Sequence, residues 1–175
     1  MMHEAMAVRN GQQATLPLPR GASGERAASS WLVCRAGTML CALPVEQVVE
    51  IMRALPLEPF TGAPRYVRGL SIIRGAAVPV VDIGLLLGGA ATTAARLVTI
   101  KTANRTVALA MTAVLGISAI APDTFGQLPP LLKDAAADTV SAIGALDAEL
   151  LVFLRGSRIV PDEVFACLDA EGTPQ

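Results

Sequence analysis

The sequence has few aromatic residues, one histidine and no paired cysteines, and these shortages exclude several classes of function. Aromatic residues make up 3% of the 175 residues, so platforms for stacking nucleic-acid bases are scarce. The formal net charge of −1 provides no basic surface for a phosphate backbone, and we expect no nucleic-acid partner. The only histidine is His3, which leaves none for a zinc site or a catalytic dyad in a folded core. We expect no metal and no cofactor.

The cysteines and the apolar segments indicate a cytosolic protein. Cys34, Cys41 and Cys167 are odd in number, form no C-x-x-C pair and lie in apolar surroundings, which is typical of buried, reduced thiols. The first 30 residues contain no apolar central region of a secretory signal. Residues 106–122 carry no charge but reach only the short limit for a membrane-spanning helix. We predict a buried hairpin strand there, and no direct insertion into a membrane.

What the chain does contain is aliphatic side chains, and they predict a mostly β fold. Apolar residues make up 53% of the sequence and charged residues 17%, which excludes disorder over most of its length. We predict a flexible tail over residues 1–29, a folded domain over 30–168 and a short tail over 169–175. The individual elements predicted are strands over residues 31–35, 39–43, 140–145 and 149–154, and a short helix over 161–168.

Residues 45–52 carry apolar side chains at helical spacing. A proline at position 44 suits a helix start, and the spacing predicts a short amphipathic helix whose valines face the core, with at least one at an exposed rim. The apolar side of this predicted helix consists of Val45, Val48, Val49 and Met52, and the polar side of Glu46, Gln47 and Glu50.

Residues 66–82 are the most informative stretch of the chain. Two runs rich in valine and isoleucine meet at Arg74-Gly75, and this pattern predicts a β-hairpin in which Gly75 supplies the positive φ of the corner. Arg74 is then a cation at the tip of two nearly uncharged strands. It is either a solvated turn residue or a contact for a partner, and Glu50 could pair with it and aim it.

Asp82 ends the second run, and it allows a competing hypothesis. The carboxylate is either a strand-end cap that accepts backbone N–H groups, or an acid of a small enzyme or ligand-binding barrel that also uses Cys34 or Cys41. The glycine-rich pair Gly88-Gly89 lacks the spacing and the lysine of a phosphate-binding loop.

The chain partly repeats itself at an offset of about 66 residues. Residues 32–51 can be laid over residues 97–117, and each copy contains two strands across a turn that lead into an apolar segment. The repeat predicts two related β-subdomains, too small to bury a core alone and therefore packed on each other, with a boundary near residues 88–95.

These patterns, in this order, resemble the CheW-like family of chemotaxis coupling proteins. The match is carried by residues 42–51, 62–69, 73–75 and 78–82 and continues more weakly through 97–120 and 142–154. The resemblance implies two intertwined five-stranded β-barrels of SH3-like type and a scaffold without catalysis. Its implied partners are the cytoplasmic tips of methyl-accepting chemoreceptors and a CheA-type histidine kinase, whose regulatory domain has the same fold.

The resemblance also assigns contact residues. It implies a receptor-binding surface at Val48, Glu50, Arg74 and Gly75, and a kinase contact near Leu97 and Val98. The chain departs from the family at three places. It has Ser71-Ile72-Ile73 before the arginine where members have Asn-Leu, Thr112 where the second repeat carries an acid, and Arg155 where an acid or amide is common.

Overall fold

The computed structural model describes residues 28–102, 105–121, 125–126, 139–160, 162 and 165–166. Within these ranges the chain forms ten β-strands and very little helix. The strands are β1 Ser29–Ala36, β2 Met39–Pro44, β3 Val48–Arg53, β4 Val67–Ile73, β5 Ala76–Asp82, β6 Arg96–Thr102, β7 Arg105–Met111, β8 Ala113–Ile120, β9 Val140–Leu146 and β10 Glu149–Leu154. The helices with stated bounds are the single turn Ile83–Leu86 and the 3-10 helices Val45–Gln47 and Gly156–Arg158, and the described residues Asp162, Phe165 and Ala166 are also helical.

The strands form two five-stranded sheets with the same internal order. One sheet runs β8-β1-β2-β10-β9 and the other runs β3-β6-β7-β5-β4. β10 pairs parallel with β2, and β5 pairs parallel with β7, while the other pairs within each sheet are antiparallel. The predicted mostly β fold of two five-stranded units is therefore confirmed.

The predicted repeat has a structural counterpart in which the two halves exchange strands. The strands β1–β5 occupy places equivalent to those of β6–β10. Each sheet combines the first two strands of one half with the last three strands of the other half, so β1 and β2 join β8–β10, and β6 and β7 join β3–β5. Neither half forms a separate sheet, because β3 pairs with β6 and β8 pairs with β1. The boundary predicted near residues 88–95 falls between the two halves, and β5 and β6 on either side of it belong to the same sheet.

The helix predicted over residues 45–52 is wrong. Only Val45–Gln47 forms a 3-10 turn, and residues 48–53 form β3, whose side chains alternate between half-buried and exposed. Pairing with β6 fixes this strand, and isoleucine and valine suit an extended backbone better than a helix. Helical spacing and strand alternation are hard to distinguish in so short an apolar run.

The other predicted elements agree with the structure where it describes them. The hairpin over 66–82 forms β4 and β5, and residues 140–154 form β9 and β10 around a turn at Asp147-Ala148. The uncharged segment 106–122 forms most of the β7–β8 hairpin. Among the described residues no helix is long and apolar enough to cross a membrane. Cys167, most of the helix predicted over 161–168, residues 1–27 and the predicted C-terminal tail lie outside the described residues. The predicted N-terminal tail is too long at its end, because Ser29 is the first residue of β1 and pairs with β8.

The buried apolar side chains of the described residues form three clusters. A central cluster between the sheets contains residues from both, such as Leu43, Val98 and Leu109. Each sheet also curls around its own smaller cluster, one that contains Phe153 and one that contains Val80. Each such sheet with its own cluster is called a barrel below, the Phe153 barrel and the Val80 barrel.

Candidate functional site at the tip of the β4–β5 hairpin

The corner between β4 and β5 is a two-residue turn with a left-handed backbone. Both central residues have positive φ, 52° at Arg74 and 81° at Gly75, which is the pattern of a type I′ hairpin turn. Glycine adopts this conformation without strain, whereas an arginine does so at a cost. The sequence prediction placed positive φ at Gly75 only, and the structure adds Arg74. The turn holds Arg74 at the apex, with its side chain 79% exposed.

Glu50 fixes the direction of the Arg74 side chain. The Arg74 Nε donates to Glu50 Oε1 at 2.9 Å, and Nη2 donates to Oε2 at 2.7 Å, so the guanidinium and carboxylate meet in a two-point contact. β3 and β4 are the two edge strands of their sheet, and the ion pair between Glu50 and Arg74 links them. The predicted pairing is confirmed, although Glu50 lies on a strand instead of a helix.

The pair changes the acidity of both groups in opposite directions. The hydrogen bonds from Arg74, helped by its charge, lower the pKa of Glu50 despite its partial burial, and the same contact raises the pKa of Arg74. Because the folded-state pKa of Glu50 is depressed, the contribution of the pair is present above the usual glutamate pKa. It is lost only as the pH falls through the folded value.

We expect the carboxyl group of Glu50 to titrate below the usual glutamate value, which is about 4.3. A carbon-detected NMR titration of the folded protein measures this directly. In the Arg74→Ala variant the midpoint should rise, because the two hydrogen bonds and the positive charge are gone. Equal midpoints in the two proteins would show that the pair does not persist in solution.

Two exposed apolar side chains lie on the hairpin close to the corner that carries Arg74. Ile72 is 62% exposed and is paired across the strands with Ala77, which is also exposed. The hairpin-tip surface, defined here as Glu50, Ile72, Arg74, Gly75 and Ala77, therefore combines one oriented cation with an uncharged surface. Exposed apolar groups beside a fixed charge are typical of protein-binding surfaces.

β3 distributes its apolar side chains differently from the predicted helix. Val48 is half-buried and packs against the central cluster, so it contributes only part of its surface. Val49 and Ile51 point to the opposite side and are 50% and 44% exposed. The predicted helix placed its valines toward the core with at least one at an exposed rim, without saying which one, and it assigned no side to Ile51. Alternation along 48–53 was the signal that would have identified both as exposed.

Leu97 and Val98, predicted near the kinase contact, lie in the core. They are 2% and 0% exposed, on a strand with neighbours on both sides. Neither side chain is available to a protein that binds the outside of this sheet. Their exposed neighbours on β6 are Arg96 and Lys101.

Asp82 is the structural cap that one of the two readings predicted. Its side chain is fully buried, accepts the backbone N–H of Leu85 at 3.2 Å and that of Thr92 at 2.8 Å, and lies 3.7 Å from Arg68 Nη1. The carboxylate thereby starts the turn Ile83–Leu86 and holds the following loop against it. Both oxygens of the Asp82 carboxylate therefore accept hydrogen bonds from the backbone of this chain.

Comparison with known proteins assigns most of the chain to one family. The CheW-like domain family matches residues 30–164. The chain belongs to the CheW-like family. A solved structure of the scaffolding protein TtCheW from Thermoanaerobacter tengcongensis superposes with a TM-score of 0.66 at 17% identity, over 75% of this chain and 92% of that one. This likeness confirms the fold. No curated protein sequence matches the chain.

This CheW-like chain has Ser71-Ile72-Ile73 before the arginine of the hairpin where family members have Asn-Leu, and the structure explains the difference. Ser71, the polar residue before the corner, is buried, and its Oγ donates to the Pro56 carbonyl at 3.0 Å. It ties the connector before β4 to the hairpin, and the exposed position next to it is the apolar Ile72. The tip of this CheW-like domain is therefore more apolar than the polar family pattern implies.

The two described cysteines of this CheW-like domain, Cys34 and Cys41, do not form a reactive site. Cys34 and Cys41 are fully buried, and burial raises the pKa of Cys34 to about 12 and that of Cys41 further above its ordinary value. A thiol reacts as the thiolate, which burial disfavours strongly here. Among the described residues, no group of three or more histidine, cysteine, aspartate or glutamate side chains is arranged to hold a metal.

We expect both thiols to react slowly with a soluble disulfide reagent in the folded protein. In a Cys167→Ser variant these two are the only thiols, so the measured rate belongs to them alone. The rate should fall at least about a hundredfold below that of the unfolded chain, because burial raises the pKa of each thiol and shields both from the reagent. A fast reaction below neutral pH would instead support the competing enzyme hypothesis.

Proposed function

We propose that the protein is a non-catalytic adaptor of bacterial chemosensory signalling that couples methyl-accepting chemoreceptors to a CheA-type histidine kinase in the cytoplasm. The observation that carries the proposal is the Arg74–Glu50 pair. It holds a cation at the exposed tip of an apolar hairpin, within the block of sequence that is most typical of the family. Neither side chain has a role in the core that would explain this arrangement.

The hairpin-tip surface is the proposed receptor contact. The cytoplasmic tip of a receptor is a helical hairpin, and amphipathic helices bind through apolar anchors flanked by complementary charge. Ile72 and Ala77 supply an apolar surface, and Arg74 supplies a charge whose direction is already fixed by Glu50. Because the guanidinium is held in place, little side-chain freedom is lost when a partner binds.

The kinase contact is proposed for the surface around β6. Since Leu97 and Val98 are buried, the exposed Arg96 and Lys101 are the residues of this strand that are available to a partner. This contact rests on the family resemblance and on exposure alone, and it is separate from the hairpin-tip surface.

A two-partner binding experiment tests the proposal. The full chain is titrated with a receptor signalling fragment and, separately, with the regulatory domain of a CheA-type kinase, and both are then added together. Binding to each, and a ternary complex when all are present, is the expected result. If neither the receptor fragment nor the kinase domain binds at the highest concentration at which the proteins stay soluble, the adaptor function is wrong.

A further inference from the structure

The Val80 barrel contains an open cavity. The cavity has a volume of about 470 Å³, within the range of roughly 300–1,000 Å³ that is usual for small-molecule sites. Leu57, Val80 and Leu97 line its apolar part, and Arg68 and Thr92 are among the polar residues that line the rest. A comparison of the two barrels explains why it is empty of side chains.

The Phe153 barrel is filled by three aromatic rings. Trp31, Phe125 and Phe153 meet edge to face, with ring centroids 4.5–5.7 Å apart. These are three of the few aromatic residues in a sequence that has only 3% of them. They pack against the cluster of small and aliphatic side chains that includes Val33 and Ala42.

Strand pairing identifies the residues of the Val80 barrel that stand in equivalent places. Phe153 lies opposite Ala42 on the parallel neighbour β2, and Val80 lies opposite Ala108 on the parallel neighbour β7. Ala42 and Ala108 are matched residues of the internal repeat. Val80 therefore takes the place of Phe153.

The two other rings have equivalents by the same reasoning. Trp31 pairs with Pro44, and Leu97 pairs with Ala110, which the repeat matches to Pro44. Strand pairing therefore sets Leu97 against Trp31, one residue away from the sequence overlay that set it against Leu32. Phe125 directly precedes Gly126, which forms an isolated bridge to Ile143 on the edge strand β9. In the same way, Leu57 directly precedes Glu58, which forms an isolated bridge to Leu70 on the edge strand β4. Leu97 thus replaces Trp31, and Leu57 replaces Phe125.

All three replacements line the cavity. The space is what remains when three rings of one barrel become two leucines and a valine in the other. Leu57 lies at its side and the nearly inaccessible Val80 and Leu97 form its floor, in the places where the equivalent barrel holds aromatic rings. Apolar cavities of folded proteins bind small aromatic molecules when they are large enough to admit them.

The mouth of the cavity carries hydrogen-bonding groups held in fixed positions. Arg68 Nη1 donates to the Thr92 carbonyl at 2.8 Å and lies 3.7 Å from Asp82, so its side chain is anchored while one third of it remains exposed. Thr93 is exposed at the rim. A ligand whose ring enters the apolar part would place a polar substituent beside these residues.

We infer that the cavity of the Val80 barrel is a binding site for a small aromatic molecule with one polar substituent. The site is separate from the hairpin-tip surface and does not rest on the proposed adaptor function. Small-molecule pockets combine apolar side chains with polar groups that orient the ligand, and this cavity is lined by both.

Indole is the probe that tests this site, and its binding is followed by two-dimensional NMR of the full chain. We expect saturable binding with a Kd of about 1 mM or tighter, and shifts centred on the amides of Leu57, Thr92 and Leu97. The Leu57→Phe variant restores one ring of the Phe153 barrel and should weaken indole binding at least about tenfold while raising the Tm.

A matched control separates cavity filling from added hydrophobicity. Leu115→Phe makes the same chemical change at a position on β8 that is 54% exposed, and it should leave indole binding unchanged. If Leu57→Phe does not fold, Leu97→Phe fills the same cavity from another strand. The inference is overturned if the wild-type protein shows no saturable binding, if the shifts centre elsewhere, or if a folded cavity-filling variant binds indole as well as the wild type does.

Discussion

Replacing Arg74 with glutamate should lower the affinity for a receptor signalling fragment by at least about tenfold and leave the Tm nearly unchanged. The variant reverses the charge at the tip of the hairpin and places a second carboxylate beside Glu50. Arg74 is 79% exposed and belongs to no buried cluster, so its loss costs the fold little. The fragment affinity and the thermal unfolding of the same preparation are the two measurements.

Two further variants make the result specific. Arg155→Glu reverses the charge of another exposed arginine, one that follows β10 in the other sheet, and should leave receptor binding unchanged. The double variant Glu50→Arg, Arg74→Glu rebuilds an ion pair in the opposite sense and should still bind poorly. If the double variant binds as well as the wild type, the pair matters as a structural link between β3 and β4 and Arg74 does not contact the receptor.

Replacing Asp82 with alanine should lower the free energy of unfolding by about 3 kcal/mol. The carboxylate is fully buried, and its removal leaves the N–H groups of Leu85 and Thr92 without their acceptor. It also leaves Arg68 without the nearest negative charge. Urea unfolding, with the midpoint and the slope fitted separately, measures this change.

The Asp82→Asn variant is the matched control because it retains one acceptor oxygen and nearly the same volume. We expect it to recover part of the stability that the alanine variant loses. A stability of the alanine variant within about 0.5 kcal/mol of the wild type would contradict the structural role of the carboxylate and would leave Asp82 available for another function.

The sequence identified most of the fold and the centre of the candidate site. The hairpin over 66–82 was predictable because two β-branched runs flank a corner that contains a glycine, and local turn chemistry determines such a hairpin. The Glu50–Arg74 pair was predictable as a pair of opposite charges, even though its geometry was not. The strand exchange was not, because pairing between distant segments leaves no local signal and a repeat looks the same whether or not its halves exchange strands.

The wrong helix over 45–52 shows where the reasoning from local pattern fails. Three valines, an isoleucine and a methionine are compatible with either period over eight residues, and the partner strand β6 decides between them. The difference matters for function, since it exposes Val49 and Ile51 and places Glu50 on an edge strand facing Arg74. The burial of Leu97 and Val98 could not be predicted from the sequence either, because alternating and continuous apolar runs both occur in paired strands.

The most direct test of the adaptor function is whether this chain physically links a receptor to a kinase. Receptor-containing membranes, a CheA-type kinase and the chain are mixed, the membranes are sedimented, and the kinase in the pellet is measured with and without the chain. We predict that the kinase sediments in amounts that rise with added wild-type chain and that Arg74→Glu at the same concentration reduces them strongly. An amount of pelleted kinase that is unaffected by the wild-type chain would contradict the account.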